Sequence, residues 1–360
     1  MKYYKTTGAA EARTLAARLA DLEKGKRAFC IWTDEHTTVT FWPGQPAGTV
    51  TEQPHADAVK IWEGMTEKEL KSAKQRAAAL ETVRVKEERA HEIIGILHSE
   101  RIPYDAAHIA ALRLELLDLV NKAYHDSGKI EGCSSIDGCA SCEFCQQMIA
   151  AAADNVLMIC GCCYAAADAW KVVSWRVHSL NAYILSNELF THEELARLQL
   201  TERCRFNEDG DTVNETHARN LLRIVITHPG TWFGYWYKNQ PAVSAGLAAE
   251  GYSRREDLPA NVRFIHSSAL IGFPARPTWY DDGIFTVFPD QETTAAAIAA
   301  GAWECNGRRC RACGYFCYMH KRQAEPVHIA ELLRTNAANR ARIRAAYDAR
   351  QAQQAAPRAL

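Results

Sequence analysis

Nowhere do these 360 residues approach the ~20 consecutive apolar positions that a bilayer-spanning helix needs. A membrane partner is therefore not expected. The opening residues, Met1 to Gly25, are polar where a secretory leader carries its apolar core, so the expected compartment is the cytoplasm. Net charge is also lacking, at -1 from 42 basic and 43 acidic side chains. A globally basic surface that would draw the chain onto nucleic acid is thereby excluded, although local patches are not. No Gly-rich phosphate loop, serine nucleophile elbow or His-Glu-x-x-His pair occurs, which disfavours the hydrolase classes.

What is abundant is cysteine, 13 residues in all and mostly in tight groups. In a reducing cytoplasm such groups are metal ligands rather than disulfides, and an odd count agrees. The tightest group is Cys305, Cys310, Cys313 and Cys317, four thiols in thirteen residues with four, two and three residues between them. Four soft ligands this close can wrap one tetrahedral zinc or one four-iron cubane, and spacing alone leaves the metal open. Arg308, Arg309 and Arg311 add positive charge beside the thiolates, which suits a net-negative centre of either kind.

A second group runs through Cys133, Cys139, Cys142 and Cys145 to Cys160, Cys162 and Cys163. The Cys139-x2-Cys142-x2-Cys145 spacing matches the start of a bacterial ferredoxin ligand run, without its closing Cys-Pro. Cys160 and Cys163 are the expected ligands of the later triplet, Cys162 being doubtful because neighbouring thiols rarely reach one ion together. Gly161 permits a tight turn there, and a helix beginning at Ala165 would offer its N-terminal amides to anionic sulfur. Cys30 and Cys204 stand alone in apolar contexts and read as core residues.

Three regions follow from composition and periodicity: a helical one at 1–128 with a small hairpin, a cysteine-rich α/β one at 129–325, and an Ala/Arg-rich tail at 326–360. Helices are expected at Glu11 to Leu22, Thr66 to Leu97 and Tyr104 to Tyr124, and a hairpin from Ala28 to Trp42 around Asp34-Glu35-His36. After a Gly/Ser/Cys-rich loop from Asp126 to Cys145, strands are expected at Asn155 to Ile159, Arg203 to Phe206, Thr231 to Trp236, Val262 to His266 and Ile284 to Phe288. Helices are expected between them at Ala165 to Asn187, Glu215 to Thr227, Val243 to Glu250 and Thr293 to Ala300. This alternation predicts a mostly parallel sheet, open or part of a (β/α) barrel, with ligands at the carboxyl ends of its strands. Alternation places Phe233, Tyr235 and Tyr237 on one face and Trp232 and Trp236 on the other. Asp281-Asp282-Gly283 reads as a turn, and His217 and His228 as packed or solvated positions on one helix face. The tail is expected to be a solvated basic helix, with nucleic-acid contact the rarer outcome.

From Cys139 to Tyr318 the chain resembles an uncharacterised family of phage and prophage proteins related to the radical S-adenosylmethionine barrel. The resemblance is carried by Cys160-Gly-Cys-Cys163-Tyr164-Ala165, by Arg205-Phe-Asn207-Glu208-Asp209-Gly-Asp211, by the aromatic run Phe233 to Lys238, by Asn261 to Ser267 and by the closing cluster. It implies a partial (β/α) barrel in the host cytoplasm that holds a four-iron cluster and S-adenosylmethionine. Cys160 and Cys163 would be ligands, Glu208, Asp209 and Asp211 an acidic catalytic edge, and Tyr164 and Asn207 cofactor contacts. The usual Cys-x3-Cys-x2-Cys is not present, so a third ligand is Cys162 or comes from the Cys139 to Cys145 loop. The implied substrate is a nucleotide, a nucleic acid or a peptide. Against this stands a zinc-stabilised binding protein whose cysteine knots only brace the fold.

Overall fold

The structure is a computed structural model that describes residues 2–5, 29–32, 37–41, 51–54, 67–99, 104–125, 132–138, 147–148, 150–152, 155–161, 172–208, 210–305, 316–318 and 322–355. These fall into two compact units, Met1–Lys86 with Asp168–Arg176, and Glu87–Ala167 with Val177–Leu360.

The first unit holds a four-stranded sheet, β1 (Lys2–Lys5), β2 (Phe29–Trp32), β3 (Thr37–Phe41) and β4 (Thr51–Pro54), in that spatial order. The expected hairpin is β2 with β3, antiparallel and paired Phe29 to Phe41 and Ile31 to Val39. Strand β1 joins β2 in parallel and β4 joins β3 antiparallel, two additions too short to announce themselves by alternation. The helix expected at Glu11 to Leu22 lies outside the described residues.

Helix α1 (Glu67–Leu97) contributes Ala90, Ile93 and Ile94 to the core of the second unit, at the three- and four-residue spacing that keeps one helix face apolar. Helix α2 (Ala106–Asp118) starts where the Asp105 side chain accepts the His108 amide, and buries Leu112, Leu116 and Leu117. Arg89 clamps Glu115 through both carboxylate oxygens at 2.6 and 2.7 Å, and Arg113 reaches Glu188, Glu194 and the Leu189 carbonyl.

The main sheet has eight strands: β5 (Ala123–Tyr124), β6 (Ser134–Ile136), β7 (Arg203–Phe206), β8 (Trp232–Tyr237), β9 (Val262–Ser267), β10 (Gly283–Phe288), β11 (Trp303–Glu304) and β12 (Val327–Leu332). Their spatial order is β11-β12-β10-β9-β8-β7-β6-β5, and every pairing is parallel except β5 with β6. From β6 to β10 the order follows the chain without reversal. Strands β5 and β11 sit at opposite edges, so among the described residues the sheet is open.

One face carries the apolar core. Ile136, Cys204, Phe206, Phe233, Tyr235, Tyr237, Val262 and Phe264 meet Leu180, Ile184 and Leu185 of α3 (Val172–Asn187), then Leu221, Leu222, Ile224 and Val225 of α5 (Glu215–Thr227), and Val243 and Leu247 of α6 (Gln240–Ala249). The four-residue α4 (His192–Leu195), closed by a Thr191–Glu194 capping box, adds Leu195. Each such large side chain contributes about 1.5–3 kcal/mol by leaving water. Farther along, α7 (Gln291–Ala299) covers Phe288 and Ala330. The expected alternation along β8 holds: Phe233, Tyr235 and Tyr237 lie on this face, and Trp236 joins Ile265 and Ile329 on the other.

Two expectations are corrected. Asn155 to Ile159 is not a strand: the Asn155 side chain accepts the Leu157 amide, a local turn that competes with extended pairing, and only a single bridge, Met158 to Leu270, remains before a 3-10 turn at Ile159–Gly161. The first parallel strand is instead β6, inside the stretch expected to be loop, with its polar Ser134 satisfied by Thr201. The tail is helical over α8 (Ala337–Ala355), but it is docked as well as solvated. Ile343 is fully buried with Leu157, Ile271 and Leu333, and Arg344 pairs with Asp290 at 2.6 Å.

Two predictions follow from this packing. Helices α5 and α6 touch where Gly246 faces Ala218, and an added methyl would collide with the Ala218 side chain. Gly246→Ala should cost about 1–3 kcal/mol of overpacking, read as a lower urea midpoint with unchanged slope. His217 is buried and accepts the Val213 amide at Nδ1, and burial pushes its pKa down to about 4. An imidazole that stays neutral when folded but charges when unfolded gives its full stability above pH ~6.5 and loses it as pH falls toward 4, by about 3 kcal/mol. Urea unfolding from pH 7.5 to 4.5 should show this slope, and His217→Gln should flatten it.

Candidate metal centre

Cys305 and Cys317, the two ends of the closing cluster, come to one patch of the second sheet face. Cys305 leaves β11 with its amide bonded to the Ala330 carbonyl at 2.7 Å. Cys317 sits in a 3-10 turn, Phe316–Tyr318, and both thiols pack on the cluster of Trp236, Ile265 and Ile329. Cys310 and Cys313 lie outside the described residues. Gly234 lets the turn approach closely: a Cβ there would stand 3.2 Å from the Cys317 carbonyl oxygen and 3.3 Å from Tyr318 Cε1. Cys133, which the sequence groups with Cys139 to Cys145, is buried against Tyr318 on this same face.

Arginine surrounds the patch. Arg205 and Arg263 pair with Gly234 from its two neighbouring strands, and the Arg205 guanidinium lies 4.4 Å from the Trp236 ring centre. Arg263 is only 2% exposed, and burial pushes its pKa down to about 10. Arg322, four residues after Tyr318, and Arg255 both bind the buried Asp282 carboxylate, at 2.8 and 3.0 Å. Burial pushes Asp282 up while Arg322 pulls it down. The turn expected at Asp281 and Asp282 is present, but its carboxylates serve the interior. Asp281 takes the Tyr237 hydroxyl and the Thr278 amide.

The other predicted ligands lead to the carboxyl edge. Cys139, Cys142, Cys145, Cys163 and Tyr164 lie outside the described residues. The chain enters Cys139 from Gly138 at the carboxyl end of β6, where a Cβ on Gly138 would collide with the Asp211 carbonyl and stand 2.6 Å from Asn207 Oδ1. Cys160 belongs to the 3-10 turn whose Ile159 amide bonds the Ala269 carbonyl, just beyond the end of β9.

The acidic edge divides in two. Asp211 is buried, and its oxygens accept the amides of Thr212, Lys238 and Asn239 at 2.8, 2.8 and 3.3 Å. Burial pushes its pKa up, and Lys238 with those three amides pulls it down. This carboxylate anchors the β7 exit to the β8 exit. Asn207 adopts a left-handed φ of 58° and gives its Nδ2 to Thr212 Oγ1 and the Trp236 carbonyl. Glu208 gives its amide to Asp137 Oδ1 and holds its carboxylate 3.3 Å from His125 Nε2, whereas Asp209 lies outside the described residues.

Sequence reasoning missed the groups beside Glu208. Ser135 donates to Asp137 at 2.7 Å and meets His125 Nε2 at 2.9 Å, with His178 Nε2 3.6 Å from Asp137. The Asp137-Gly138 pair, a strand-exit signal, was the available clue. Cys204 is fully buried in the core as expected, with its thiol pushed up by burial. Among the described residues no three His, Cys, Asp or Glu side chains form a metal-binding group.

No protein family, curated protein or solved structure matches this chain. Among the described residues no helix is long and apolar enough to cross a membrane.

Asp211→Ala should strand three backbone amides and destabilise the protein by about 2–4 kcal/mol. Asp211→Asn, which keeps one accepting oxygen, should lose less. Equilibrium urea unfolding of the two variants checks the order.

Proposed function

We propose that this chain is a thiolate-bound iron–sulfur protein of the phage type it resembles. The closing centre is a four-iron cluster held by Cys305, Cys310, Cys313 and Cys317 against the face of the sheet around Gly234. A second centre draws on Cys139, Cys142, Cys145, Cys160 and Cys163 at the carboxyl edge. In this reading the sheet is the wall of a partial (β/α) barrel, consistent with its chain-order strands. Glu208 and Asn207 lie at its carboxyl edge, where S-adenosylmethionine and a nucleotide, nucleic-acid or peptide substrate would meet, as in radical S-adenosylmethionine enzymes. A bound cluster would supply electrons at that edge, while this chain's own residues hold and orient the reactants.

The observation that carries the proposal is the charge around Gly234. Arg205 and Arg263 flank Gly234 on the face on which Cys317 docks, Arg255 and Arg322 lie close to Arg263, and Asp282 is the carboxylate that answers the last three. A cluster held by four thiolates carries net negative charge and suits such surroundings. The donor set is soft, and the backbone cradle admits the turn that carries it.

The test is anaerobic purification followed by assay of iron, acid-labile sulfide and zinc per chain. Matching iron and sulfide are expected, with Cys317→Ala removing about four irons, one cubane. Stoichiometric zinc without colour would replace this reading with a zinc-braced binding protein. Calorimetric titration of the iron-loaded protein with S-adenosylmethionine then tests the enzyme class.

A further inference from the structure

Two buried N–H donors on the face that receives the closing turn have no acceptor. Trp236 Nε1 is unpartnered on a residue only 8% exposed, and Arg263 Nε is unpartnered on one only 2% exposed. An indole and a guanidinium can only donate, so a carbonyl or hydroxyl merely turned elsewhere does not explain them. Leaving such a donor buried and unmade costs about 1–3 kcal/mol, more where it is charged. Each marks a place where an acceptor belongs.

Their position says which acceptor. Arg263 pairs with Gly234 in the sheet, and Trp236 Nε1 lies 3.5 Å from where a Gly234 Cβ would stand. That same vacant Cβ position is 3.2 Å from the Cys317 carbonyl oxygen, and the Cys317 thiol packs on the Trp236 cluster. The Arg263 hydrogen bonds run from Nη1 to the Ala260 and Val262 carbonyls, and its Nε finds no acceptor.

We infer that Trp236 and Arg263 are positioning residues that donate N–H···S hydrogen bonds to the sulfurs of the closing centre. The inference rests on the iron–sulfur reading above. A donor aimed at cluster sulfur stabilises the more negative, reduced form, so each such bond raises the reduction potential. The closing centre is thereby built as a buried electron relay whose potential is set by the sheet rather than by solvent.

The experiment uses the iron-loaded full chain, reduced with dithionite and labelled with 15N at the indole nitrogens. Pulsed electron paramagnetic resonance of the signal that Cys317→Ala abolishes should show coupling to one 15N, and Trp236→Phe should remove it. Dithionite titration should place that signal at a lower midpoint potential in Trp236→Phe and in Arg263→Lys, while the exposed control Trp279→Phe leaves it unmoved. An absent coupling in the wild-type chain, or one that survives Trp236→Phe, overturns the inference even if a variant loses its cluster. A chain that binds no iron refutes the underlying reading instead, a result distinct from a loaded cluster without the coupling.

Discussion

The missing side chain at Gly234 is the constraint on which this arrangement depends. A parallel sheet needs both faces covered, because its strands are apolar on each side. Here α3, α5 and α6 cover one face, and at the centre of the other the described cover is the turn Phe316–Tyr318. A Cβ at 234 would stand 3.2 Å from the Cys317 carbonyl oxygen and 3.3 Å from Tyr318 Cε1, so the turn would have to give way by a few tenths of an ångström. The strand gives up β propensity and packing area at that residue, a cost of roughly 1 kcal/mol. In exchange two cysteines twelve positions apart reach one surface.

Charge is the second term that must balance on that surface. Removing a guanidinium from water costs several kcal/mol, and Arg263 is nearly sealed. Carbonyls of Ala260 and Val262 absorb part of its donor capacity, and Asp282 supplies opposite charge, but Asp282 already binds Arg255 and Arg322. The same carboxylate also accepts the Phe264 amide, so the pair β9 and β10 is tied together by the group that neutralises the arginines. Strand pairing and charge balance are thus coupled through one residue. Removing Asp282 would loosen both at once, whereas removing an arginine would disturb only the second.

Much of the second unit was legible in its apolar rhythm. Strands β7 to β10 and helices α5 to α7 came within three residues at their ends, because Trp232 to Tyr237 and Val262 to Ser267 are short runs rich in aromatic and β-branched residues and α5 has one strongly apolar stripe. What was not legible had weak or polar signals. Strand β6 is three residues with two serines, and its register is set by Thr201 and Arg205 from elsewhere in the chain. Asn155 to Ile159 looks extended by composition, yet a single Asx contact decides against it. At the site, the closing cluster's docking surface could not be read from spacing, since Gly234 and Arg263 acquire meaning only once β8 and β9 are adjacent. Cys133 shows the same limit. It is six positions from Cys139 in sequence but packs with Tyr318 in space.

The described cysteines of the two regions stand in different relations to the sheet. Cys305 and Cys317 pack against Trp236, Ile265 and Ile329 on one sheet face, where the local dielectric is low and electrostatic effects are strong. The Cys139 and Cys160 regions leave from the carboxyl ends of β6 and β9, where open α/β sheets place their ligands. Between these ends lies a rigid frame in which Asp211 joins the β7 and β8 exits and Asp137 joins β6 to Glu208. Gly138, pressed against Asp211 and Asn207, shares that frame. A reactive centre needs such an edge, open to substrate yet anchored within about 0.5 Å. An electron relay of the kind proposed for the closing cysteines needs only burial and steady hydrogen bonds, and the middle of a sheet face offers the burial.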